Sequence, residues 1–319
     1  MSLVVLDLDA DGNPLDPATQ QPVADVQGFL ARHLEVPESA TDIVVFVHGW
    51  RNTKATAFHR AHRFADLVTT TYDPVRYPAL GAWNSHYVVV RWPSASNPFL
   101  HGYRRIRDRA HLMSTTGRAP EALAHLLGYL NAHRERPRGT LRTKAGQYLH
   151  LVGHSFGCRF LAEAIQWAAD SRPDVLGWDR SDPRYPYAAD TLLMFQMAYP
   201  HDLIAHGFPR LLHDAPIGGP AVFTHSRFDR AVGLWHRLAE RRTGVGHRGA
   251  TEPREHISSI ILRPMTQNYT AGDFTSTLVN VDANLCFRRG RFLNPAGAHA
   301  DILHPESAHL ILSLAELAR

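Results

Sequence analysis

The chain has 319 residues, 44% of them hydrophobic and 20% charged, with a formal charge of +4. This balance excludes a disordered or fibrous chain and is ample for one large core, so a single domain over residues 1–319 is expected. The basic residues are nearly all arginine and are interspersed with Asp and Glu along the sequence, so no nucleic-acid partner is expected, and no apolar run approaches the roughly 20 residues that cross a bilayer.

In chain order, residues 3–8 read as an edge strand followed by the turn Asp11-Gly12-Asn13-Pro14. Residues 43–47, 87–90, 148–152, 192–198, 221–224 and 278–281 are short, nearly continuous apolar and β-branched runs, the pattern of strands buried on both faces. Residues 121–132 place Leu123, Leu126, Leu127 and Leu130 at three-and-four spacing, which predicts a helix with one apolar face. The same spacing predicts helices over 155–169 and 307–317. Strands alternating with helices predict an α/β architecture: a mostly parallel central sheet with helices on both faces. Residues 93–120, 171–189 and 237–256 fit no element and are expected to be insertions or lid-like loops. Cys158 and Cys286 are too few for a disulfide framework and have no metal spacing. With no export segment at the start, a reducing, cytoplasmic setting is expected.

The chemistry concentrates at Gly153-His154-Ser155-Phe156-Gly157, between a strand and a helix. A nucleophile on such a cramped turn needs glycine two residues to either side, because a β-carbon there would meet backbone. The turn lifts the Ser155 hydroxyl clear of the sheet and aims the unpaired amides of a helix start at an anionic intermediate. The simpler alternative is that Ser155 only caps the helix. A second signal favours catalysis: the strand ending Val45-Phe46-Val47 runs into His48-Gly49-Trp50, where a second oxyanion donor is needed. The Trp50 and Phe156 amides are the candidate pair, and His48 is read as structural.

These pieces resemble the α/β-hydrolase superfamily over roughly residues 40–310. More narrowly, the chain is similar to bacterial serine esterase-like hydrolases through His48-Gly49-Trp50, Arg91-Trp92-Pro93-Ser94, Gly102-Tyr103, the elbow and Ser226-Arg227-Phe228-Asp229. The resemblance implies a triad in the order nucleophile, acid, histidine. Asp229, after the strand at 221–224, is the favoured acid, with Asp202 as the alternative. Among 21 histidines, His299 in Gly297-Ala298-His299-Ala300-Asp301 is the favoured base, ahead of His304 and His309. His299, Asp301 and His304 also form a His-x-Asp-x-x-His pattern, but no third anchor on another strand completes a metal set, so no metal and no cofactor are expected.

Trp92 and Tyr103 fall in loops above the strand ends and are candidate substrate contacts, with a plain core role as the alternative. The arginines of 104–109 are expected to line a solvated helix face, with attraction of an acidic substrate as the alternative. The function expected is hydrolysis of a small carboxylic ester through an acyl-enzyme on Ser155. Acyl transfer by the same residues and a non-catalytic binding module are the rivals; a nicotinamide-dependent dehydrogenase lacks its Gly-x-G-x-x-G turn. The reading requires Ser155 to be open to substrate and within reach of an imidazole; oligomeric state is not legible.

Overall fold

The computed structural model describes residues 1–97, 99–133, 147–176, 187–290 and 294–319. Among them, eight strands form one sheet: β1 (Ser2–Asp7), β2 (Asp42–Val47), β3 (Ser85–Arg91), β4 (Tyr148–His154), β5 (Thr191–Phe195), β6 (Ala221–His225), β7 (Ile257–Ile261) and β8 (Leu278–Asp282). Their order is β1-β3-β2-β4-β5-β6-β8-β7, and every pairing is parallel, where the sequence predicted a mostly parallel sheet.

Parallel strands need crossovers, and helices covering both faces explain why the inner strands are apolar throughout. In β2, wholly buried, Val45 and Val47 enter one core layer while Val44 and Phe46 enter the other. The first layer is closed by α1 (Val26–His33), α3 (Leu100–Thr115), α4 (Ala119–His133) and α5 (Phe156–Ser171), and the second by α2 (Lys54–Thr71) and α9 (Pro305–Leu317). Short elements fill the loops: α6 (Ile204–Gly207), a π-helix (Ala231–Trp235) running into α7 (His236–Glu240), and α8 (Val245–Arg248).

Several elements depart from the sequence reading. The run at 192–198 leaves the sheet after Phe195 because Gln196 turns to φ 47°. The half-exposed β7 was not read as a strand. The stretch 93–120 contains α3, whose Tyr103, Ile106, Ala110 and Met113 are core. The stretch 237–256 carries part of α7 and all of α8. Within 171–189, residues 177–186 lie outside the described residues. Cys158 is buried and Cys286 half-buried, both as free thiols. Among the described residues, no helix is long and apolar enough to cross a membrane.

At the strand starts, away from the functional loops, Asp42 is fully buried between His150 Nε2 at 2.9 Å and the Arg319 guanidinium at 2.8 and 2.9 Å. Burial alone would raise its pKa, but these donors hold the carboxyl below the usual range.

Candidate active site

Because all strands run the same way, the loops after β2, β4, β6 and β8 meet at one edge of the sheet. The loop after β4 carries Ser155, which adopts φ 59° and ψ −121°, a conformation that costs a non-glycine residue about 1–3 kcal/mol. Its backbone is held there: the Ser155 amide donates to Phe195 O at 2.9 Å, and the Ala198 amide donates to Ser155 O at 3.2 Å. A β-carbon at residue 157 would lie 2.1 Å from Val47 O, so the elbow and the end of β2 pack backbone to backbone.

The turn after β2 presses on the same serine. A β-carbon on Gly49 would sit 2.6 Å from Ser155 Cβ and 2.8 Å from His154 Nδ1. Gly49→Ala must therefore displace either the serine or the turn. It is expected to lower turnover at least 10-fold, the scale of losing part of an oxyanion site, with the circular dichroism spectrum kept; wild-type turnover in a folded variant would contradict this packing.

His48 fixes the turn from behind. Its Nδ1 donates to Gly49 O at 2.9 Å, and its Nε2 accepts from the Trp92 amide at 3.2 Å. Burial pushes its pKa down to about 4, so it is neutral and serves as a bracket. The Trp50 and Phe156 amides, the expected oxyanion donors, donate to no other protein group among the described residues.

The loops after β6 and β8, neighbours in the sheet, are zipped together: the Arg230 amide donates to Ala296 O at 3.1 Å and the Ala298 amide to Phe228 O at 2.9 Å. This pairing sets Asp229 beside His299. Ser155 Oγ donates to His299 Nε2 at 2.7 Å, and His299 Nδ1 donates to Asp229 Oδ2 at 2.7 Å. Asp229 Oδ1 accepts from the Val232 amide at 3.1 Å, which orients the carboxylate.

The sequence reading missed His154, although it lies inside the elbow motif. Its Nε2 donates to His299 O at 2.7 Å, anchoring the histidine loop, and the two rings lie 5.0 Å apart. Burial first, and the neighbouring His299 second, hold its pKa well below the ordinary value, so it is neutral.

The alternatives to these residues are engaged elsewhere. Asp202 pairs with Arg242. His304 donates from Nε2 to Asp301 at 2.9 Å, and Asp301 also accepts the Arg288 and Arg289 amides. His309 is held by the Tyr77 hydroxyl and Gln267 O.

Two expectations meet a different arrangement. Ser155 is 0% exposed, so the requirement that it stand open to substrate is not met in this arrangement, while the imidazole it also requires lies within reach. Gly49 packs against it on one side and His299 on another, while the Phe156 ring beside it is covered by Tyr103 and Trp92. Trp92 and Tyr103 are themselves core: the Trp92 indole donates to His48 O at 2.7 Å, and the Tyr103 hydroxyl pairs with His236 Nδ1 at 2.9 Å. Both rings pack against Phe156 of the elbow, and Trp92 also borders a cavity of about 230 Å³ with Asn52 and Arg109.

A cavity of about 330 Å³ borders the elbow, lined by Phe156, Arg159, Tyr199, Leu203 and His236. Burial pushes the His236 pKa down to about 3. No motif marks this residue, since its place depends on how α7 folds back onto α3.

The parallel sheet, the strained serine turn and the strand-end loops define the α/β-hydrolase fold, and the chain has that fold. Residues 24–174 match the model of a family described as alpha/beta hydrolase of unknown function (DUF900). No curated protein matches the sequence. Among solved structures the chain is similar to a dienelactone hydrolase from Anabaena variabilis, at 14% identity over 88% of this chain and 87% of that one, with a TM-score of 0.37. It is also similar to an acetylxylan esterase (12% identity, 88% and 98% covered, TM-score 0.32) and a metagenomic carboxyl esterase (13%, 97% and 83%, 0.31).

Proposed function

We propose that the protein is a serine hydrolase that cleaves small carboxylic esters through an acyl-enzyme on Ser155. The observation that carries this reading is the unbroken line Ser155 Oγ to His299 to Asp229, each step 2.7 Å. His299 Nε2 takes the hydroxyl proton as Oγ attacks the acyl carbon, and the carbonyl electron pair moves onto oxygen. The Trp50 and Phe156 amides receive that charge. As the intermediate collapses, the alcohol leaves with the proton from His299. Water then attacks the acyl-enzyme, giving one proton to His299, which returns it to Ser155 as the acid departs. Asp229 orients the ring through Nδ1 and stabilises the imidazolium. His154, neutral beside His299, adds no opposing charge to it. The cavity beside Phe156 is the candidate space for the acyl or alcohol group.

A fluorophosphonate probe tests the reading. The wild-type chain is expected to label and Ser155→Ala is not; a folded wild type that stays unlabelled removes the proposal in favour of a binding module. Product analysis with and without an added alcohol separates hydrolysis from acyl transfer.

A further inference from the structure

Folding gathers charge that the linear sequence leaves scattered. Residues 99–115 and 227–248 hold ten arginines and three acidic residues, a surplus of seven that exceeds the +4 of the whole chain, so the remainder is net acidic. These two segments lie side by side. Arg104 donates to Leu238 O at 3.2 Å, and Arg107 bonds both Ala239 O and the Glu240 carboxylate, so α3 and α7 run in the same direction. The basic end of the molecule is therefore the edge that carries Ser155, Asp229 and His299.

That surface is amphipathic. Leu234 and Leu238, one turn apart, are 46% and 48% exposed, and Phe99 at the start of α3 is 61% exposed. Around them Arg104, Arg105, Arg230, Arg237 and Arg241 are exposed, and none takes part in an ion pair among the described residues. Apolar side chains ringed by guanidinium groups with no acidic partner among the described residues match a layer whose interior is apolar and whose headgroups are anionic. A nucleic acid would use the arginines but leave both leucines without a partner. A second copy of the chain would set arginines against arginines.

We propose that the α3–α7 face docks on an anionic lipid surface, with Phe99, Leu234 and Leu238 entering the headgroup layer and the flanking arginines pairing with lipid phosphates. It deepens the hydrolase reading by presenting the site edge to amphipathic esters held in a membrane or micelle, and it rests on that reading only for this last step.

Docking is measured by flotation with ether-linked phosphatidylcholine vesicles containing 30% phosphatidylglycerol, which offer no ester to cleave. Wild type is expected to float with these vesicles and to bind pure phosphatidylcholine at least about 10-fold more weakly, with binding falling in 0.5 M salt. Leu234→Ser with Leu238→Ser, and separately Arg237→Glu with Arg241→Glu, are each expected to weaken binding about 10-fold or more, on the scale of about 1 kcal/mol per basic residue near such a surface. All four side chains are exposed, and unchanged melting temperatures check the fold.

No flotation, equal binding to neutral vesicles, or binding unaffected by the leucine pair overturns the proposal. So does tighter binding to a 20-nucleotide oligomer, or a dimer in sedimentation that the leucine changes dissolve. Fluorophosphonate labelling is read independently, so a chain that docks without labelling refutes the hydrolase reading alone.

Discussion

His299→Ala is expected to lower kcat/KM for a simple ester by about 10⁴-fold or more, whereas His304→Ala changes it by less than about 10-fold. The contrast follows from geometry. His299 Nε2 is the acceptor for the Ser155 hydroxyl at 2.7 Å, while His304 is spent on Asp301. Without the imidazole, the serine must lose its proton to water at an ordinary alcohol's acidity. Asp229→Asn is expected to fall nearly as far, because the amide donates where the carboxylate accepts and turns His299 to the wrong tautomer. Initial rates on a chromogenic ester, with urea midpoints as the fold check, decide the ranking; a deeper loss at His304 would move the base there.

The second large effect is on stability against acid. Burial pushes His48 and His86 down to about 4 and His236 to about 3. These folded-state values lie below the unfolded value of about 6.5. Above pH 6.5 both states are neutral, and the stability is fully present. As pH falls, the unfolded chain binds protons that the native chain refuses, so stability drops until the native groups titrate near pH 4. Three such groups give a slope of about 4 kcal/mol per pH unit near pH 5, and a loss on the order of 5 kcal/mol between pH 7 and pH 5. Urea unfolding at pH 7, 6 and 5 measures it; equal stability at all three would mean that these rings are protonated in the native state. Total stabilities are commonly 5–15 kcal/mol, so the fold itself is expected to be at risk near pH 5.

What the sequence disclosed follows from the range of each interaction. The inner strands were legible because burial on both faces leaves β2 as Asp-Ile-Val-Val-Phe-Val, with no polar alternation to obscure it. By contrast, α2 hides its inward face in Ala57, Ala61 and Ala65, with only Phe64 and Val68 as large residues, among arginines and histidines. At the sheet edge, β7 spends two of its five residues on serine. The elbow is a local motif and so could be read directly. Asp229 and His299 were chosen by position after their strands, and they are hydrogen-bonded although 70 residues apart. The cover over Ser155, the core positions of Trp92 and Tyr103, and the place of His236 all depend on α3 meeting α7, which no local spacing encodes.

The shut serine has a kinetic consequence. On the proposed serine-hydrolase reading, a carbonyl reaches the buried Ser155 oxygen only after the surrounding side chains part. Inactivation by a small organophosphorus agent should therefore level off as its concentration rises, and the ceiling reports how often the enclosure parts. At rest, the same enclosure spares the hydroxyl from stray electrophiles.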